Sequence, residues 1–123
     1  MNKLFAVIST AIFLILIDSI YLTLMKDYFN NQIKQVQGSP IQMNLYGAIL
    51  CYILLIFGLY YFIIKDNRTL LDAFILGILI YGVYELTTIA LLKNWNVKTV
   101  IIDTLWGGIL FVLTTYFVRF FIN

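Results

Sequence analysis

Histidine is absent from this 123-residue sequence, cysteine and proline occur once each, and charged residues make up only 11%. Without histidine, and with Cys51 as the one soft ligand, zinc, haem, iron–sulfur, Ser-His-Asp and Cys-His chemistry lack their usual side chains. A single cysteine excludes a disulfide framework. So few charges argue against a disordered or nucleic-acid-binding chain, and one proline with seven glycines argues against a fibrous one. What the sequence has instead is apolar bulk: 63% hydrophobic residues, 17% aromatic, and a mean hydropathy of +0.96. A soluble domain carries about a quarter charged residues, so this is the composition of an integral membrane protein.

Four apolar stretches, Leu4 to Met25, Leu45 to Ile64, Leu70 to Leu92 and Val100 to Ile122, are each long enough as helices to cross a hydrocarbon core about 30 Å thick. Their apolar character is continuous and does not alternate, which excludes an outer-membrane β-barrel and predicts an all-α, polytopic, antiparallel bundle of four transmembrane helices in a single domain. The helices are expected at about 4–25, 40–64, 70–92 and 99–122. The first is retained as a helix and is not read as a cleaved signal, because Asp18-Ser19-Ile20-Tyr21 follows where a small-residue cleavage site is required. After it, Phe29, Ile33 and Val36 fall at i, i+4 and i+7 among amides, the pattern of a short interfacial helix at about 27–37. Gly38 ends it, and Ser39-Pro40-Ile41-Gln42 has the form of a capping box, so the second span is predicted to start at Pro40. Asp66 and Asp72 lie at a tight turn as candidate caps.

Basic residues do not decide the orientation. One face carries Lys3, Lys65, Arg68 and Arg119, and the other Lys26, Lys34, Lys93 and Lys98. Four spans put both termini on one side. The location is multi-pass in a membrane, the inner one if the source is bacterial.

Three acids interrupt the spans: Asp18, Glu85 and Asp103. Counted from the flanking Lys26, Lys93 and Lys98, they lie roughly 12, 12 and 7 to 8 Å below one face at 1.5 Å per residue. A charged residue near a span's centre costs about 2.5–3.5 kcal/mol, so all three are expected to face the bundle interior and one another. No lysine or arginine lies inside the membrane beside them. Three ionised acids in one dry cluster repel, so at least one holds a proton or a cation lies between them. They are the candidate proton-transfer, or catalytic, carboxylates. Tyr81, Tyr84, Glu85 and Thr88 form one stripe at helical spacing, and Thr99, Asp103, Trp106 and Gly107 another, with Thr114 further along. Tyr21, Tyr81, Tyr84, Thr88 and Trp106 are therefore the candidate ligand-binding residues of an acidic, aromatic-walled pocket suited to a lipid-like or cationic ligand. Asn44, Tyr46 and Cys51 are weaker candidates on the second span. No cofactor and no metal site are expected, since three carboxylates supply too few oxygen ligands.

Plainer explanations exist for much of this. Trp95, Tyr46 and Tyr28 fit an interfacial aromatic belt, Gly58, Gly77 and Gly82 fit helix packing or flexibility, and Cys51 fits an apolar filler. The hydroxyls and Gly107 also suit packing, and the acids suit a structural network of protonated carboxyls.

The same residues carry a family resemblance. The run Tyr81-Gly82-Val83-Tyr84-Glu85-Leu86-Thr87-Thr88-Ile89-Ala90-Leu91-Leu92-Lys93-Asn94-Trp95 resembles the Y-G-x-Y-D-L-T-N-x-A-T-L-x-x-W signature of domain-of-unknown-function family 2177. Asp103-Thr104-Leu105-Trp106-Gly107 is similar to its D-x-x-W-G, and Asp18-Ser19-Ile20-Tyr21-Leu22 to its D-x-x-W-L. Glu85, Thr88 and Tyr21 depart from the aspartate, asparagine and tryptophan of the pattern. The resemblance implies a four-helix membrane protein and the same choice of site residues. It names no reaction, and implies a lipid connection through the lipid-modifying neighbours of bacterial members.

Three functions are open at this point. The first is a pocket that binds, or modifies by acid–base chemistry, a lipid-like ligand. One protonated acid would donate to a double bond or ether oxygen, a second carboxylate would take a proton back, and Trp106 and Tyr84 would steady the charge between them. The second is a proton-coupled carrier or ion path, similar in plan to small multidrug transporters but with its acids on three helices. The third is a structural or accessory subunit. Membrane lipids are the expected surroundings, no nucleic acid is expected as a partner, and the oligomeric state is open.

Overall fold

A computed structural model describes residues 2–122. It is helical throughout its ordered elements: α1 (Lys3–Leu24), α2 (Lys26–Gln37), α3 (Leu45–Leu59) closing in a π-helical turn (Tyr60–Ile64), α4 (Leu70–Leu91) and α5 (Val97–Ile122). Among the described residues four helices are long and apolar enough to cross a membrane, of 22, 20, 22 and 25 residues. At 1.5 Å per residue these are about 30–38 Å long, and the protein is an integral, multi-pass membrane protein.

Local chemistry sets most of the boundaries. The Asn2 side chain accepts from the Leu4 and Phe5 amides and starts α1. Gly38, at φ +80°, ends α2 in the left-handed conformation that glycine adopts without a Cβ penalty. Thr69 caps α4 by accepting from the Asp72 amide, and Asp72 pairs with Arg68 at 3.0 Å, so Asp72 sits in the first turn and Thr69 is the cap.

The second span begins at Leu45, five residues later than the Ser39-Pro40-Ile41-Gln42 pattern predicts. Residues 38–44 form a strap tied to α2 by side-chain bonds that compete with helix formation. Gln37 donates its amide to the Ser39 and Pro40 carbonyls, and the Ile41 N–H donates to Asn30 Oδ1. Asn44 then caps α3 by accepting from the Gly47 amide.

The most extensive packing joins α4 to α5; α1 packs on α5, and α3 leans on α1. The α4–α5 contact is close because it is built on glycine. A Cβ added to Gly77 would lie 2.1 Å from the Gly107 carbonyl oxygen, and one added to Gly107 would lie 2.3 Å from the Tyr81 ring. Contact positions rise along α4 as they fall along α5, from Phe74 with Gly108 to Gly82 with Thr104. That register carries Glu85 toward Asp103. The core itself is Leu14, Leu59, Leu110, Phe111 and Val118, all fully buried.

Candidate intramembrane site

Asp18 sits on α1, 6% exposed, and its two oxygens are held from two other helices. The Tyr52 hydroxyl of α3 donates to Oδ2 at 2.5 Å, and the Trp106 indole of α5 donates to Oδ1 at 2.9 Å. One turn along α1, Tyr21 lies flat on Trp106, with ring centroids 4.3 Å apart and planes 3° from parallel. Its hydroxyl donates to Asp103 Oδ1 at 3.3 Å. Asp103 and Trp106 stand one turn apart on α5, so a single aromatic stack links Asp18 to Asp103.

Glu85 is 1% exposed and accepts the Trp95 indole N–H at 3.1 Å. Glu85 and Asp103 stand on the two most extensively packed helices, α4 and α5. All of these donors to the acids are neutral O–H and N–H groups. The one ion pair among the described residues is Arg68 with Asp72, outside this layer.

Above the acids lies a groove of about 760 Å³, lined by residues of α1, α2, the strap, α4, the turn after it and α5. Glu85, Asp103, Tyr84, Trp95 and Lys26 are among its polar lining, and Leu22, Phe29, Ile33, Ile41 and Met43 are its apolar lining. Along one edge Tyr84 is 61% exposed and Met43 is exposed as well.

The α2 roof is pinned by Gln32, which is 3% exposed. Its amide donates to the Asn94 carbonyl at 2.8 Å, while its oxygen accepts from the Asn96 N–H at 3.0 Å and the Thr99 hydroxyl at 2.6 Å. Because the Thr99 proton points to Gln32, Tyr28 is the donor in the 2.8 Å contact between their hydroxyls. Asn94, in the left-handed conformation at φ 64°, donates its side chain to the Gln35 carbonyl.

The three acids thus share one layer, but they do not share one cavity. Glu85 and Asp103 line the groove, whereas Asp18 is enclosed by Tyr52 and Trp106. Tyr84 lines the groove; Tyr21 and Trp106 support the acids from behind. Tyr81 packs against Gly107, and the Thr88 hydroxyl turns back to the Tyr84 carbonyl of its own helix. Tyr52, Trp95 and Lys26 are absent from the residues picked out by helical spacing. Tyr52 lies on a span without an acid, Trp95 lies in the turn after α4, where periodicity carries no signal, and Lys26 is the first residue of α2, outside the spans. Trp95 is nevertheless the last residue of the longest family-like motif. It engages Glu85 and lines the groove, so the belt reading does not describe it. Tyr28 likewise bonds inward to Thr99. Among the described residues no three His, Cys, Asp or Glu side chains group as a metal centre.

A family model described as "Predicted membrane protein (DUF2177)" matches residues 3–119. The chain belongs to that family. The match spans every acid of the layer and both indoles that bond to them. No curated protein and no solved structure matches the chain. In this DUF2177 protein Tyr21 supplies both a stacking face to Trp106 and a donor to Asp103.

Proposed function

We propose that this DUF2177 protein binds an amphipathic, lipid-like molecule in the groove and exchanges a proton with it through Glu85 and Asp103. In this reading the spans alternate in direction, α2 rests on the membrane surface as the roof, and Asp18 positions the aromatic stack. The observation that carries it is the joint placement of two carboxyl groups, from α4 and α5, on the lining of one groove of about 760 Å³ with apolar walls. Two carboxyl groups on one groove in a layer without a paired cation need a shared proton or a bound cation, so the pair is an acid toward a ligand that accepts and a base toward one that donates. Tyr21 and Trp95 each give one of the two acids a fixed hydrogen bond to a single oxygen, which leaves the second oxygen of each without a protein donor among the described residues.

A proton-coupled carrier needs a polar route to the opposite face as well. Beyond Asp18 and Trp106 in that direction stand Leu14, Leu110 and Phe111, all fully buried, which favours a site open to one side.

The test compares the parent protein with Glu85→Gln and Asp103→Asn, each purified in mild detergent. Native mass spectrometry of the parent is expected to show a retained amphiphile, and each amide variant to lose most of it. Proton flux in vesicles is expected to be the same for all three. Flux that depends on an added substrate and vanishes in Glu85→Gln would establish the carrier instead. Three proteins alike in both assays would leave only the structural role.

A further inference from the structure

The groove is lined by groups of both charges, and this constrains its occupant. Glu85 and Asp103 supply acceptor oxygens from α4 and α5. Lys26, the first residue of α2, supplies a cation on the same lining. Among the described residues Lys26 has no ion-pair partner. Beside it Asn30 lines the groove; its Oδ1 is already held by the Ile41 N–H, which leaves its Nδ2 as a donor. The lining therefore combines a carboxyl pair, apolar walls, a cation and an amide donor.

We infer that the occupant is a membrane lipid whose head carries both a phosphate and a primary ammonium, the phosphate at Lys26 and Asn30 and the ammonium between Glu85 and Asp103. This rests on the binding role proposed above and specifies its ligand. A primary ammonium has three N–H donors and can bond both carboxyl groups at once, where a quaternary ammonium has none. A lone cation leaves Lys26 unmatched, and a lone phosphate brings a negative charge toward two acids. A head with both charges satisfies both the acids and Lys26. The volume, about 760 Å³, is within the range of small-molecule sites and holds the head with the upper part of its chains. The exposed edge at Tyr84 and Met43 lets the remaining chain lie in the bilayer, so the ligand is supplied by the membrane itself.

The experiment uses the full chain in nanodiscs of neutral carrier lipid doped with one photoreactive phospholipid at a time. Each probe carries the same diazirine-bearing acyl chain on an ethanolamine, choline or glycerol phosphate head. Cross-linked peptides are quantified by mass spectrometry. The ethanolamine probe is expected to label peptides containing Phe29, Ile33 or Met43 about tenfold more than either other probe, a preference of about 1.4 kcal/mol. Asp103→Asn is expected to abolish that preference, Lys26→Gln to lower labelling by all three probes severalfold, and Lys26→Arg to keep the parent pattern. The parent's three-probe comparison stands even if a variant fails to fold. Equal labelling by choline or glycerol heads would overturn the head-group assignment and leave the lipid-binding role intact. Labelling of no groove peptide by any probe would overturn both. Displacement of the ethanolamine probe by free phosphoethanolamine at matched concentration would show that the head alone binds, against a membrane lipid.

Discussion

Trp106 donates its indole N–H to Asp18 across 2.9 Å, joining residues 88 positions apart in the chain. Tyr52 closes on the other oxygen of the same carboxyl group. In a bilayer there is no water to take over from either donor, so this bond fixes the relative rotation of α1 and α5 as well as adding to stability. Trp106→Phe keeps an aromatic ring against Tyr21 but removes the N–H. It should lower unfolding free energy by about 1–3 kcal/mol. Combined with Tyr52→Phe, the loss should differ from the sum of the single losses, because both donors serve one acceptor group. Denaturant titration of the three variants in mixed micelles checks this; strict additivity would contradict it.

Gly77 and Gly107 let α4 and α5 approach until backbone meets backbone. Gly77→Ala places a methyl group where the Gly107 carbonyl oxygen stands, so the helices must separate. Overpacking of this kind costs about 1–3 kcal/mol, and here it also withdraws Glu85 from Asp103. Gly58, with nothing within 4 Å of its would-be Cβ, is the control: Gly58→Ala should be neutral or slightly stabilising through helix propensity. Thermal unfolding of the two variants should therefore diverge.

Gln32 holds α2 against the α4–α5 turn through three hydrogen bonds. Gln32→Leu removes the acceptor of the fully buried Thr99 hydroxyl and the partners of the Asn94 carbonyl and Asn96 N–H, and the loss at the buried hydroxyl costs about 1–3 kcal/mol. Amide hydrogen exchange should rise in residues 26–37 and in the strap, with α4 and α5 little changed. Uniform exchange across the chain would show that α2 is not pinned there.

The Thr114 and Thr115 hydroxyls are buried on α5 with no hydrogen-bond partner among the described residues. Valine has nearly the same shape and no polar atom to bury. Thr115→Val should leave the protein as stable as the parent or more stable by about 1 kcal/mol. A clear loss in the same denaturant titration would mean that the hydroxyl has a partner in the membrane.

Several features were legible before any coordinates. Hydropathy runs gave the four spans within a few residues, and the 3.6-residue period placed Glu85 with Tyr81 and Thr88 on one side of α4. The capping pattern at Ser39 misled because local bonds from Gln37 and Asn30 hold the strap extended, and only the folded α2 presents those side chains together. Thr88 misled for a related reason: inside a helix, a threonine hydroxyl has a carbonyl of the preceding turn in reach and uses it. Tyr52 and Lys26 had no local signal.

Composition and hydropathy alone determined that this chain lives in a bilayer as four helices, and the cost of burying charge alone required Asp18, Glu85 and Asp103 to turn inward. Both follow from the transfer of single residues or single helices into hydrocarbon, which is a property of local sequence. Which acid meets which was decided only in three dimensions, by the glycine contact that brings α4 onto α5 and by the Tyr21–Trp106 stack that brings α1 to them. The division into an enclosed Asp18 and a groove-lining Glu85–Asp103 pair depends on helix rotation and register, and those are set by packing between segments far apart in the chain.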